Sequence, residues 1–248
     1  MDIHSILIVA LLLYIAGSLA YFTPWPRAGA VLVPLGIVLN AAGLFFRGRF
    51  EGEWFPALWV DGPLIIPIFL ALISLSFFRS GARVPGRVAA AALVLCSLAA
   101  FIPAPAPAFP SAKTGVALAP IFFLVETSGI AFFITGGFLA LAALLLRLDT
   151  QEAVRRCVLW GFILFTTAQV LGAVWSFVGW SFPFSWSPRH LASACLWCLY
   201  AALLHAGSTR ISFRATAALI AMGLVPVPFI LYTHQVQHLF IKLTGVFS

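Results

Sequence analysis

The sequence predicts an all-α fold, a polytopic membrane helix bundle of about eight transmembrane helices with both termini outside. Three observations carry that expectation. Hydrophobic residues fill 62% of the 248 positions and charged residues 8%, against about half and a quarter in an ordinary soluble domain. Mean hydropathy is +1.08. The apolar residues are gathered into eight runs, most of them close to the ~20 residues that span a bilayer as a helix. Helices are the default because lipid offers no partner to an unpaired backbone group.

In order, the runs cover roughly 5–22, 28–46, 63–79, 87–104, 118–147, 156–178, 190–206 and 214–233. The first has no basic segment before it and no small-residue cleavage site after it, so a retained helix is expected rather than a removed signal peptide. The fifth is long enough to tilt or project beyond the bilayer. The longest connectors, 47–62 and 105–117, are too short for a soluble domain, which makes 1–248 a single transmembrane domain. The 47–62 connector mixes charge with Trp54, Phe55 and Trp59, the composition of an interfacial belt or of a second wall to an outward site. The 105–117 connector is Pro-rich and extended.

Orientation follows from the basic residues. Arg27, Arg79, Arg83, Arg87, Arg147, Arg155, Arg156, Arg210 and Arg214 fall in or beside the 1–2, 3–4, 5–6 and 7–8 loops, and Arg47, Arg49, Lys113, Arg189 and Lys242 fall on the other side. Nine against five puts the first group in the cytoplasm. The net charge of +7 is therefore a topology signal and points to no nucleic acid.

Chemistry concentrates between Gly172 and His205. Trp175, Trp180 and Trp186, with Phe177, Phe182 and Phe184, form an aromatic shelf in an outward loop at about 173–190, followed by a helix that begins near Pro188 and carries Trp197 and His205. Such a shelf suits a large flat apolar ring with a polar edge, of which haem is the leading candidate. Ring stacking adds about 0.5–1.5 kcal/mol per pair beyond area burial. Arg189 and His190 stand where propionates would be met. His234 and His238, four apart, share one face at the outward end of the last run and are candidate iron ligands. Taken singly, each histidine also fits an ordinary interfacial role.

Two other features carry competing readings. Glu126 lies inside the fifth run, where an ionisable group usually faces the bundle interior. It is either a neutral hydrogen-bonded carboxyl, or a proton- or quinone-linked group or one near a haem propionate or metal, with Gln169 as a guessed polar partner. Cys195 and Cys198 form a C-x-x-C within an apolar run. They lack a second ligand pair, so small packing residues are the leading reading and a thiol role the other. Nothing in the chain resembles a nucleophile–base set or a phosphate loop.

The aromatic segment resembles the tryptophan-rich signature of the cytochrome c assembly family, the CcsA/CcmC-type haem-handling membrane proteins, of the form G-x-x-W-x-x-x-x-W-G-x-x-W-x-W-D-P-K-E. Gly172, Trp175, Trp180, Trp186 and Pro188 fall on its positions without a gap, and Trp197, Ala201, Leu204 and His205 keep the downstream spacing. Phe184 replaces its third Trp, Ser181 its Gly, Ser187 its Asp, Arg189 its Lys and His190 its Glu. The resemblance also implies outward histidines flanking the loop as haem ligands. The upstream position falls near Phe122 or Phe123, where none is present, and His234 or His238 is the downstream counterpart.

The resemblance implies haem b as cofactor, with haem and an apocytochrome c or other membrane assembly subunits as partners. It places the chain in a bacterial inner membrane with the aromatic loop in the periplasm. It implies haem presentation for c-type cytochrome maturation, as a component of a haem lyase or synthetase system. The missing acidic residues and upstream histidine leave open a non-catalytic structural or regulatory subunit of a larger respiratory complex. A transporter or quinone module built on Glu126 is a weaker third reading.

Overall fold

In a computed structural model, which describes residues 3–50, 58–101, 118–206 and 211–227, every regular element is helical. Eight helices follow in order: α1 (Ile3–Ala20), α2 (Pro26–Phe50), α3 (Leu58–Arg79), α4 (Arg83–Phe101), α5 (Leu118–Leu146), α6 (Gln151–Trp180), α7 (Pro188–Ala206) and α8 (Phe213–Met222). The first six are long and apolar enough to cross a membrane, while the apolar part of α7 and the described part of α8 are shorter. This is a polytopic membrane helix bundle.

Several helices outrun their apolar stretches. α6 starts at Gln151 and holds Arg155 and Arg156 in its first turns, where Arg156 pairs with Glu152 one turn back at 2.7 Å on an exposed face. The reason is that backbone hydrogen bonding does not stop at the membrane boundary. Charged residues spaced i,i+4 sustain a helix into the interface.

The α1–α2 pair is built on a reciprocal seven-residue repeat. Leu7, Tyr14 and Tyr21 line one side; Gly43, Gly36 and Gly29 receive them on the other. A Cβ added at Gly36 would lie 2.8 Å from the Tyr14 ring, and one at Gly29 would lie 2.7 Å from both the Tyr21 ring and the Gly17 carbonyl oxygen. Lipid gives apolar helices no hydrophobic reason to associate, so close backbone approach at small residues supplies the packing energy. A period of seven keeps the seam in register along the pair.

Polar contacts then fix the neighbours. Asn40, fully buried in α2, donates through Nδ2 to the Leu64 carbonyl of α3 at 3.1 Å and to the Tyr14 hydroxyl at 3.4 Å. The α3 contact sits beside Pro67, whose missing N–H and bulky ring interrupt the helix ladder. Ser74 Oγ in α3 donates to the Gly86 carbonyl in α4 at 3.2 Å.

α5 and α6 form the long antiparallel hairpin that positions the site. They cross at Gly129 and Gly161, where each helix backbone approaches the other. Thr150, in the tight turn between them, donates to the Leu139 carbonyl at 3.0 Å. Phe133 of α5 lies parallel to Tyr200 of α7, centroids 3.5 Å apart and planes 10° apart, so α7 is anchored to the bundle core by a buried ring pair. Glu126 is buried in α5 with 3% exposure, on the interior side expected of an intramembrane carboxyl.

Candidate functional site

α6 continues helically through Trp180, so the connector to α7 is only Ser181–Ser187. Ser181 ends α6 in the left-handed region, φ 64°, with its N–H bonded to the Phe177 carbonyl at 2.8 Å. This is the helix-ending position that favours glycine, and it coincides with the signature's Gly. A left-handed non-glycine residue costs about 1–2 kcal/mol, while glycine loosens the unfolded chain by roughly 0.4–1 kcal/mol. Ser181→Gly is therefore expected to raise the thermal unfolding midpoint slightly, and Ser181→Val to lower it. A melt in detergent checks both.

The loop folds back on α6 through Ser176, which is buried and donates to the Phe182 carbonyl at 2.9 Å. α7 then starts on Ser187. Its Oγ accepts from the His190 N–H at 3.4 Å and its carbonyl from the Leu191 N–H at 3.1 Å, with Pro188 in the first helical position. Serine and aspartate are both strong N-caps, and proline suits the first turn. The Ser187-for-Asp departure thus keeps the start of α7 intact.

Between α6 and α7, under the loop, lies a groove of about 420 Å³. Thr166, Gln169, Val170 and Ala173 line it from α6, and His190, Ala194, Trp197 and Cys198 from α7, with Pro183 and Phe184 above. Both sets follow helical spacing, so each helix presents one continuous face. Trp197 donates to Thr166 Oγ1 at 2.9 Å and lies against Phe162 at 5.5 Å, which holds the two walls together. The groove is mostly apolar, and one buried polar atom in it, Gln169 Nε2, makes no hydrogen bond among the described residues. That nitrogen makes no bond to Glu126.

The residues singled out from the sequence divide into groups. Phe184 and His190 line the groove, their rings stacked at 5.5 Å and 28°. Trp186 is 82% exposed and meets Phe184 edge-on at 5.5 Å. Trp175 turns toward α5, stacked on Phe122 at 5.9 Å and edge-on to Phe123 at 5.8 Å, with Trp180 edge-on to it at 5.3 Å. The rings therefore form two clusters rather than one sheet, the first over the groove and the second bracing α6 against α5. The Arg189 side chain, His234 and His238 lie outside the described residues. Cys195 and Cys198 are free and exposed. Among the described residues no group of three or more His, Cys, Asp or Glu is placed to hold a metal ion.

A family model described as Cytochrome C assembly protein matches residues 4–240. The chain belongs to the cytochrome c assembly family. Among curated proteins it is similar to the cytochrome c biogenesis protein CcsA of three organisms. It is 44% identical over 50 residues to that of Thermosynechococcus vestitus, covering 20% of this chain and 16% of the relative. It is 41% identical over 68 residues to that of Gloeobacter violaceus, covering 27% and 20%. It is 35% identical over 115 residues to that of Microcystis aeruginosa, covering 44% and 35%. The matched stretches thus span at most about a third of these relatives' own length.

Reading the family signature alone misses Thr166, Gln169, Ala194 and Cys198, which lie outside its ring positions or in its spacer. The available signal was periodic: 166, 169, 170, 173 and 190, 194, 197, 198 each trace one helix face. It also misses Ser185, whose importance depends on the loop bringing it back to His190.

Proposed function

We propose that this chain acts in c-type cytochrome biogenesis by holding haem as cargo between α6 and α7 and presenting it on the outer face of the bacterial inner membrane. The observation that carries this reading is the groove itself. A volume of about 420 Å³ lies within the range of small-molecule and cofactor sites. Its walls are apolar where a macrocycle needs them, at Val170, Phe184 and Trp197, and polar at the His190 imidazole, the Gln169 amide and the Thr166 hydroxyl. Membership of the cytochrome c assembly family supports the same reading.

In this reading the bound haem supplies the iron and the vinyl groups that react with cysteine thiols of an apocytochrome c. The chain orients the ring, keeps water from its faces, and offers Arg189 and the α7 N-terminus to the propionates. His234 or His238, from the last apolar run, would hold the iron. The 1–248 chain works as one transmembrane unit with its aromatic loop and both termini in the periplasm. It docks with partner subunits of a haem lyase or synthetase system.

A second reading is favoured by one observation: Phe122 and Phe123 occupy the upstream ligand position and are buried against Trp175. There the chain is a structural or regulatory subunit of a membrane cytochrome complex and carries no haem.

Disrupting the chain in its host tests the biogenesis role. Covalent haem staining of membrane and periplasmic fractions is expected to show c-type cytochromes falling severalfold while b-type haem absorbance persists. Unchanged c-type cytochromes would contradict it.

A further inference from the structure

We infer that His190 is itself an iron ligand of the groove, supplied from the loop side, and that Ser185 is the residue that positions it. This rests on the haem-holding reading above. The two histidines nominated from the sequence lie outside the described residues, and the signature has a glutamate at this position, so the assignment comes from the local geometry.

The imidazole is held on three sides. Nδ1 lies 2.6 Å from Ser185 Oγ, and 3.2 Å from both the Ser185 backbone N and the Ser185 carbonyl oxygen. Phe184 stacks on the ring face. The backbone N–H is held by Ser187. Among the described residues no hydrogen bond engages Nε2. Of the groups around Nδ1, the carbonyl can only accept and Oγ is able to, whereas the backbone N–H can only donate. Oγ can play either part, so Ser185 holds the ring in both tautomers, and the one with the proton on Nδ1, donating to Oγ or to the carbonyl, leaves the Nε2 lone pair available to iron. Metal-binding histidines are arranged this way, with one ring nitrogen donating to an oxygen and the other left to the metal.

The surroundings agree with a ligand rather than a packing residue. His190 lies on the wall of the groove, and one turn further along α7 is Ala194, whose small side chain leaves space beside the imidazole. The upstream ligand position is closed by the packing of Phe122 and Phe123 on Trp175.

The experiment is a hemin titration of the purified full chain in detergent, read by visible absorption and electron paramagnetic resonance. The comparison set is wild type, His190→Gly with and without added imidazole, and Ser185→Ala. Wild type is expected to give a low-spin spectrum. His190→Gly is expected to convert the signal to high spin and weaken binding at least about tenfold, with imidazole restoring the low-spin form. Ser185→Ala is expected to weaken binding by about tenfold, the usual effect of losing a residue that orients a metal-bound histidine. If His190→Gly fails to give folded protein, His190→Asn keeps the reach and polarity while removing the imidazole. A wild-type spectrum retained by the 190 variant would overturn the assignment while leaving the haem-holding reading in place. A wild type that takes up no hemin would overturn that reading, and this assignment with it.

Discussion

Replacing Gly29 by leucine is expected to disrupt the α1–α2 pair and lower the unfolding midpoint more than any other single change in the first half of the chain. A side chain there must displace both the Tyr21 ring and the Gly17 carbonyl oxygen, each 2.7 Å from the new Cβ. Overpacking costs about 1–3 kcal/mol where neighbours can shift, and a backbone oxygen in a helix cannot shift without moving the helix. Gly36 provides the contrast, because its neighbours within 3.4 Å are ring atoms of Tyr14. Gly36→Ala should therefore be partly rescued by Tyr14→Leu, after allowing for the hydrogen bond that Asn40 loses, whereas Gly29→Ala should not be rescued by Tyr21→Leu. Thermal melts of the two double-mutant cycles measure the difference, since contacting residues show coupling and independent ones add. Equal rescue at both sites would contradict backbone contact at Gly29.

Ala194→Trp is expected to weaken hemin binding strongly without unfolding the protein. Ala194 is exposed on the groove wall, so an indole there projects into open space and leaves the core beneath α7 intact. It occupies the volume that a macrocycle requires. Charging the ligand about 1–3 kcal/mol for the overlap predicts a loss of roughly ten- to hundredfold in affinity. A substitution at Trp186, which is 82% exposed and outside the groove lining, gives a ready comparison: Trp186→Ala should change affinity far less. Titration of both variants against wild type, with helicity as a folding control, reads the result. Wild-type affinity in Ala194→Trp would move the ligand to another surface.

The helices were legible in the sequence because lipid imposes one strong rule: about twenty apolar residues in a row are helical. Their order and the burial of Glu126 followed from that rule. Their ends did not, since Gln151 to Arg155 are helical residues that precede the apolar run at 156–178. The α1–α2 seam was also hidden. Its glycines and tyrosines are seven apart within each helix, but only the fold pairs one set with the other.

At the site, the signature located the loop but not the direction of its rings. Trp175 belongs to a helix face directed at α5, while Phe184, in the loop, is placed by Ser176 and Ser185 contacts that have no sequence period. The Asp-to-Ser change at Ser187 reads as a loss of acidity in sequence. In the structure it preserves the helix start, because both side chains cap.

The account depends on the space between α6 and α7 being where a porphyrin sits, and locating bound iron tests that most directly. Crystals of the chain loaded with hemin, measured at the iron absorption edge, should show one anomalous peak in the groove under Phe184, beside His190. A peak against Trp175 and Trp180, on the far cluster, would contradict the account.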